Sequence, residues 1–218
     1  VILPAPAAQS LYLDVGWGIV IAAILVAGLG RAGREGPRRR IGAVAASAGL
    51  AAVAVALPAP GSASFWLGMV MQSPSLMTVC LAGLFLLRAL HGPDRPPAVP
   101  LLSTLPAVSL CLLAVPLYAS TFALLPVDLY RLGFLPYAAV ALASALVALW
   151  WRLDRSAAPA GTALCAAALL HASTRLPSGN GWDALLDPLL VLWAAIVALR
   201  AAWRCRRRGA PDARSRRD

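Results

Sequence analysis

Lysine is absent from this chain, and all 19 of its basic residues are arginine. That excludes chemistry built on a lysine amine, such as a retinal or pyridoxal Schiff base. Charge of either sign is scarce: 13% of the 218 residues are charged, against roughly 25% in soluble domains. With 60% hydrophobic residues and a mean hydropathy of +0.75, the composition is that of an integral membrane protein rather than a cytosolic domain. Histidine occurs only at positions 91 and 171, so no helix carries an HExxH zinc motif and no histidine pair can stack for haem. The sequence has no glycine-rich nucleotide loop, no Ser/His/Asp spacing and no line of carboxyl groups along a span. Cys80, Cys111, Cys165 and Cys205 match no zinc spacing, and three of them fall within apolar runs, so neither a metal knuckle nor a disulfide framework is expected.

The net charge of +10 does not point to nucleic acid, because the arginines mostly flank apolar runs and show no aromatic–basic interleaving of a known nucleic-acid module. Membrane lipids with anionic headgroups are the simpler partner. The densest basic stretch holds Arg31, Arg34, Arg38, Arg39 and Arg40 between two apolar runs. Arginine collects in cytoplasmic loops, so this stretch sets the expected orientation.

Counting crossings from it predicts an all-α, polytopic protein of about seven transmembrane helices, with the N-terminus outside and the C-terminus cytoplasmic. The positive charges follow the first apolar run rather than precede it, which reads as a retained span over 11–30 instead of a cleaved signal. Further spans are expected over 41–57, 75–90, 101–118, 134–151, 162–176 and 185–203. The sixth is the weakest, being short and containing His171 and Arg175. Pro74 separates the third span from an outer piece over 65–72, and residues 119–133 read as a short amphipathic piece at the outer interface. In this arrangement every arginine except Arg131 and Arg175 lies inside. Tyr12, Tyr118, Tyr130 and Tyr137 fall at outer ends, while Trp150, Trp151 and Trp203 fall at inner ends, as interfacial belts require. Residues 1–203 form a single helical domain, and 204–218 a basic, disordered cytoplasmic tail. Small residues such as Gly42 with Ala46 and Ala45 with Gly49 carry little weight as packing motifs in a chain so rich in alanine.

The C-terminal run from Arg204 to Arg208 could dock a cytoplasmic partner, but a stop-transfer and lipid-binding role explains it with no extra assumption. Two other groups of residues could carry chemistry. All three methionines, Met69, Met71 and Met77, lie close together, with Cys80 a turn beyond the last. Thioether and thiolate sulfur suit Cu(I), although flexible methionines also fill the gaps around a proline kink. The Met69-Val70-Met71-Gln72 opening of the third segment and the helix number resemble membrane-bound assembly factors that metallate haem–copper oxidases. That family carries paired histidines in this region, where this chain has Gly68 and Gln72 with no histidine near them. The second group is an outer polar set of Asp128, Arg131, His171, Arg175, Asp183 and Asp187, with Asp14 at the same level. Ionisable groups beside spans are costly enough to mark functional sites. Here they also serve structure, as Asp128–Arg131 and Asp187–Arg175 ion pairs or as caps, with Asp183 and Asp187 placed to open helices.

The function expected from these features is a non-enzymatic accessory or assembly subunit of a larger membrane complex in the inner (plasma) membrane. The alternatives are copper handling for a haem–copper oxidase through the sulfur cluster, and a small transporter or lipid-modifying enzyme using the outer polar set.

Overall fold

The computed structural model describes residues 3–29, 37–91, 100–135 and 137–209. Among the described residues there are nine α-helices and no strand. Their order is α1 (Pro6–Leu29), α2 (Pro37–Ala56), α3 (Ala63–Met71), α4 (Leu76–His91), α5 (Thr104–Thr121), α6 (Ala138–Leu153), α7 (Ala158–Thr174), α8 (Gly181–Leu185) and α9 (Pro188–Gly209). Short 3-10 turns lie at Tyr130–Phe134 and Arg155–Ala157. Lipid offers the backbone no hydrogen bonds, so apolar segments close their own as helices.

Four helical segments are long and apolar enough to cross a membrane: Pro6–Leu29, Arg38–Ala56, Thr104–Thr121 and Pro188–Arg207. Two shorter apolar helices, Leu76–His91 and Ala138–Leu153, accompany them. This is the pattern of a multi-pass membrane protein. The first of the four has 24 residues and reaches about 36 Å, enough to cross a hydrocarbon core of about 30 Å.

The chain's weakest apolar segment turns out to be central. Helix α7 starts at Ala158 rather than at 162, and it packs against α4 on one flank and α6 on the other. Its buried residues include Ala160, Gly161, Ala163, Ala167 and Ala168, whose small side chains let neighbouring helices approach closely. The buried face is built of small residues rather than large apolar ones, while Leu169 and Leu170 stay exposed, which is why the sequence signal of α7 is faint. Helix α1 packs on α2 and α4, and α5 packs on α9. The discounted glycines of α2 bear out that discount, since a Cβ at Gly42 or Gly49 would meet nothing within 4 Å.

Several boundaries differ from the sequence expectation. Helix α6 begins at Ala138, because residues 130–134 are already used in a 3-10 turn. Residue Trp150 is not at an interface; it is fully buried on α6, and its Nε1–H donates to Ser109 Oγ of α5 at 3.2 Å. Tyr12 is buried as well, donating its hydroxyl to the Pro74 carbonyl at 2.6 Å. Both rings are turned inward by a polar partner on another element. Helix α9 continues through Arg204 to Gly209, so the first part of the expected tail is helical; residues 210–218 lie outside the described residues, as does the Arg31 and Arg34 part of the basic stretch. All four cysteines are free, as expected.

Candidate functional site

The polar side chains gather at the two ends of the bundle. At one end, the start of α9 meets the turn before α4 through Asp187. Its Oδ1 accepts from the Leu190 N–H at 2.7 Å, capping α9 in the way Asp before Pro188 implies. Its Oδ2 accepts from the Ser75 N–H at 2.8 Å and from the Thr78 hydroxyl at 2.5 Å. The Ser75 hydroxyl in turn donates to Thr78 Oγ1 at 3.0 Å and accepts from the Thr78 N–H at 3.1 Å. One buried carboxyl group therefore serves free donors at the N-termini of two helices, where both dipoles also favour it. This replaces the expected Asp187–Arg175 ion pair. The turn is held from its other side by Tyr12 and by Trp17, whose Nε1–H donates to the Gln72 carbonyl at 3.0 Å. Gly16 of α1 makes room for it, as a Cβ there would sit 2.9 Å from Pro74 Cγ.

A second network joins the turn at 129–133 to α8. Asn180, rather than Asp183, caps α8: its Oδ1 accepts from the Trp182 N–H at 2.9 Å, and its Nδ2 donates to the Tyr130 carbonyl at 3.1 Å. Trp182 Nε1–H donates to the Leu129 carbonyl at 3.0 Å. Asp183 lies in the first turn and accepts from the Tyr130 hydroxyl at 2.7 Å and from the Ser178 hydroxyl. Burial, and then the bond to Asp183, push the Tyr130 phenol above its ordinary pKa, so it stays a neutral donor. Gly133 is required here because a Cβ would fall on Asn180 Oδ1 and within 2.5 Å of Trp182 Cδ1.

The remaining outer residues are also in structural use. Asp128 Oδ1 accepts from the Arg131 backbone N–H at 3.2 Å, so this pair is a turn cap through the main chain. His171 is fully buried, and its Nδ1–H donates to the Leu176 carbonyl at 2.9 Å. Arg175 ends α7 in the left-handed region at φ 60°, with its N–H on the His171 carbonyl at 2.8 Å. Asp14 accepts from the Ser64 hydroxyl at 2.5 Å, and Ser64 shares a 2.7 Å bond with Ser62. The six expected residues thus share one end of the bundle but fall into separate networks.

The sulfur residues divide between two environments. Met69 on α3 is 72% exposed, while Met77 on α4 is wholly buried beside Leu76 and Leu81. Met71 is half-buried, and Cys80 packs partly against the core that holds Met77. No group of three or more His, Cys, Asp or Glu side chains able to hold a metal occurs among the described residues.

The opposite end carries a network that the sequence reading missed. Asp154, between α6 and α7, accepts from the Ser103 hydroxyl at 2.7 Å, the Ser156 hydroxyl at 2.6 Å and the Ser156 N–H at 2.8 Å. The Ser156 hydroxyl, first, and that of Ser103 hold its carboxyl below the usual range despite a partial opposing effect of burial. Beside it opens a groove of about 800 Å³ bounded by α5, the α6–α7 turn and α9. The Asp154-Arg-Ser156 spacing is a legible turn signal, as Ser75 and Asn180 are legible caps ahead of apolar runs. The partners across the fold leave no local signal.

Chemically, each described aspartate is an acceptor for hydroxyl or backbone donors at loops and helix ends. No family model, curated protein or solved structure matches this chain.

Proposed function

We propose that the chain is a seven-span protein of the inner (plasma) membrane, with its N-terminus outside and its C-terminus cytoplasmic. In this reading α1, α2, α4, α5, α6, α7 and α9 cross in turn, and the arginine-rich ends of α2, α4, α6 and α9 lie inside. Its role is that of a non-enzymatic accessory or assembly subunit of a larger membrane complex. The observation that supports this best is the use of the polar residues. Asp128, Asp183, Asp187 and His171 all hold turns together, which leaves no convergent set aimed at a substrate among these outer residues. The bundle is a scaffold whose described outer turns are tied by hydrogen bonds and whose helices present apolar faces, including Leu50 and Val53 of α2.

The test is extraction from native membranes in a mild detergent followed by native mass spectrometry. A stoichiometric complex with another membrane subunit is the expected result. A bare chain that carries out a chemical conversion, abolished by His171→Ala in a stably inserted variant, would overturn the proposal.

A further inference from the structure

The geometry points to a phospholipid site: we propose that the groove between α5, the α6–α7 turn and the C-terminal half of α9 holds the phosphodiester headgroup of one membrane phospholipid. The inference rests on the membrane reading of the fold and is independent of the accessory role. Arg200 and Arg204 line the groove from α9. At a spacing of four residues they stand one above the other on the same helix face. The Nε–H of Arg204 donates to the Arg200 carbonyl at 3.3 Å, which braces its stem and leaves the terminal guanidinium nitrogens unused by that bond. The Arg200 guanidinium makes no hydrogen bond or ion pair to another described residue. Two guanidinium groups so placed present forked donors to the oxygens of a phosphodiester.

The rest of the lining selects an amphiphile over a soluble phosphate. Val197 and Trp203 line the groove beside the two arginines. Trp203 is 60% exposed, with the Arg207 guanidinium 5.0 Å from its ring centroid, and in the proposed topology it belongs to the cytoplasmic interfacial belt where tryptophans collect. The polar wall is Ser103, Asp154 and Ser156. Asp154 is an anion in an anion site, but three donors from the two serines already share its charge. Its remaining lone pairs suit the ammonium of an aminophospholipid whose phosphate is held by the arginines that line the same groove. The groove volume of about 800 Å³ accommodates a headgroup and the start of its acyl chains.

The experiment uses the full chain, delipidated in detergent and mixed with phosphatidylglycerol or phosphatidylethanolamine, with adducts counted by native mass spectrometry. The expected result is one adduct that survives activation able to strip all others. Arg200→Gln with Arg204→Gln should weaken it about tenfold or more, the worth of one or two charge-assisted contacts. Arg152→Gln with Arg206→Gln removes the same charge outside the groove and should change it less than about twofold. Preference for phosphatidylethanolamine that is lost in Asp154→Asn identifies an aminophospholipid; preference for phosphatidylglycerol identifies an anionic one. Equal losses in both double variants, full displacement by inorganic phosphate, or no persistent adduct on the wild-type chain would each overturn the proposal. A second measurement needs no variant: a diazirine-bearing phospholipid should label the peptide containing Arg200 and Trp203, and labelling confined to other helices would count against the site.

Discussion

Replacing Asp187 by alanine removes the acceptor for two backbone N–H groups, of Ser75 and Leu190, and for the Thr78 hydroxyl. The hydroxyl can rotate toward another acceptor, but the two amides are fixed by their helices. A buried donor left without a partner costs about 1–3 kcal/mol, so the substitution should cost about 3 kcal/mol in all. For a chain of this size that is a fall in Tm of about 6–12 °C. Asp187→Asn should fall between the two, since an amide keeps one acceptor but turns its NH2 toward donors. Thr78→Val should cost about 1 kcal/mol on its own and much less in the alanine background, because the bond it breaks is already gone. Thermal unfolding in detergent can be followed with a thiol-reactive dye, as Cys80, Cys111 and Cys165 are free and partly shielded by the fold. A Tm for Asp187→Ala within about 1 °C of the wild type, or strictly additive losses with Thr78→Val, would refute the claim that this carboxyl group joins α4 to α9.

Further outcomes can be read in the same melts. Gly133→Ala should destabilise by about 1–3 kcal/mol, because Asn180 and Trp182 occupy the space its Cβ needs. Gly42→Ala, with open space around it, should be neutral or slightly stabilising, up to about 1 kcal/mol. Asp154 has a depressed carboxyl pKa in the fold, so its stabilisation is complete above the unfolded value of about 3.9 and fades as pH falls through the native value. The wild type should therefore lose Tm more steeply than Asp154→Asn below about pH 5, with a difference at neutral pH under about 1 kcal/mol because the group is well solvated. Met69→Leu with Met71→Leu should leave both Tm and Cu(I) affinity unchanged, since Met69 faces outward and Met77 lies in the core. A loss of Cu(I) binding in that variant, measured by competition with a colorimetric chelator, would restore the sulfur cluster as a metal site.

Helical character, the break at Pro74 and the capping role of Asp187 were legible from local pattern. Long apolar runs, prolines at 74, 177 and 188, and an acidic residue ahead of a proline act within a few residues of themselves, so one strand of text contains them. Tertiary structure alone decided that α7 is the central helix and that Trp150 points inward to Ser109. Hydropathy measures a segment against lipid or water, and the buried face of α7 meets neither. The same limit applies to the polar networks. Asp187 was visible as a cap for α9, but its bonds to Ser75 and Thr78 span more than a hundred positions. Asn180 finds Tyr130, and Asp154 finds Ser103, only because packed helices bring their ends together. A hydrogen bond forms between whichever donor and acceptor the fold places about 3 Å apart, and no spacing in the chain encodes that distance.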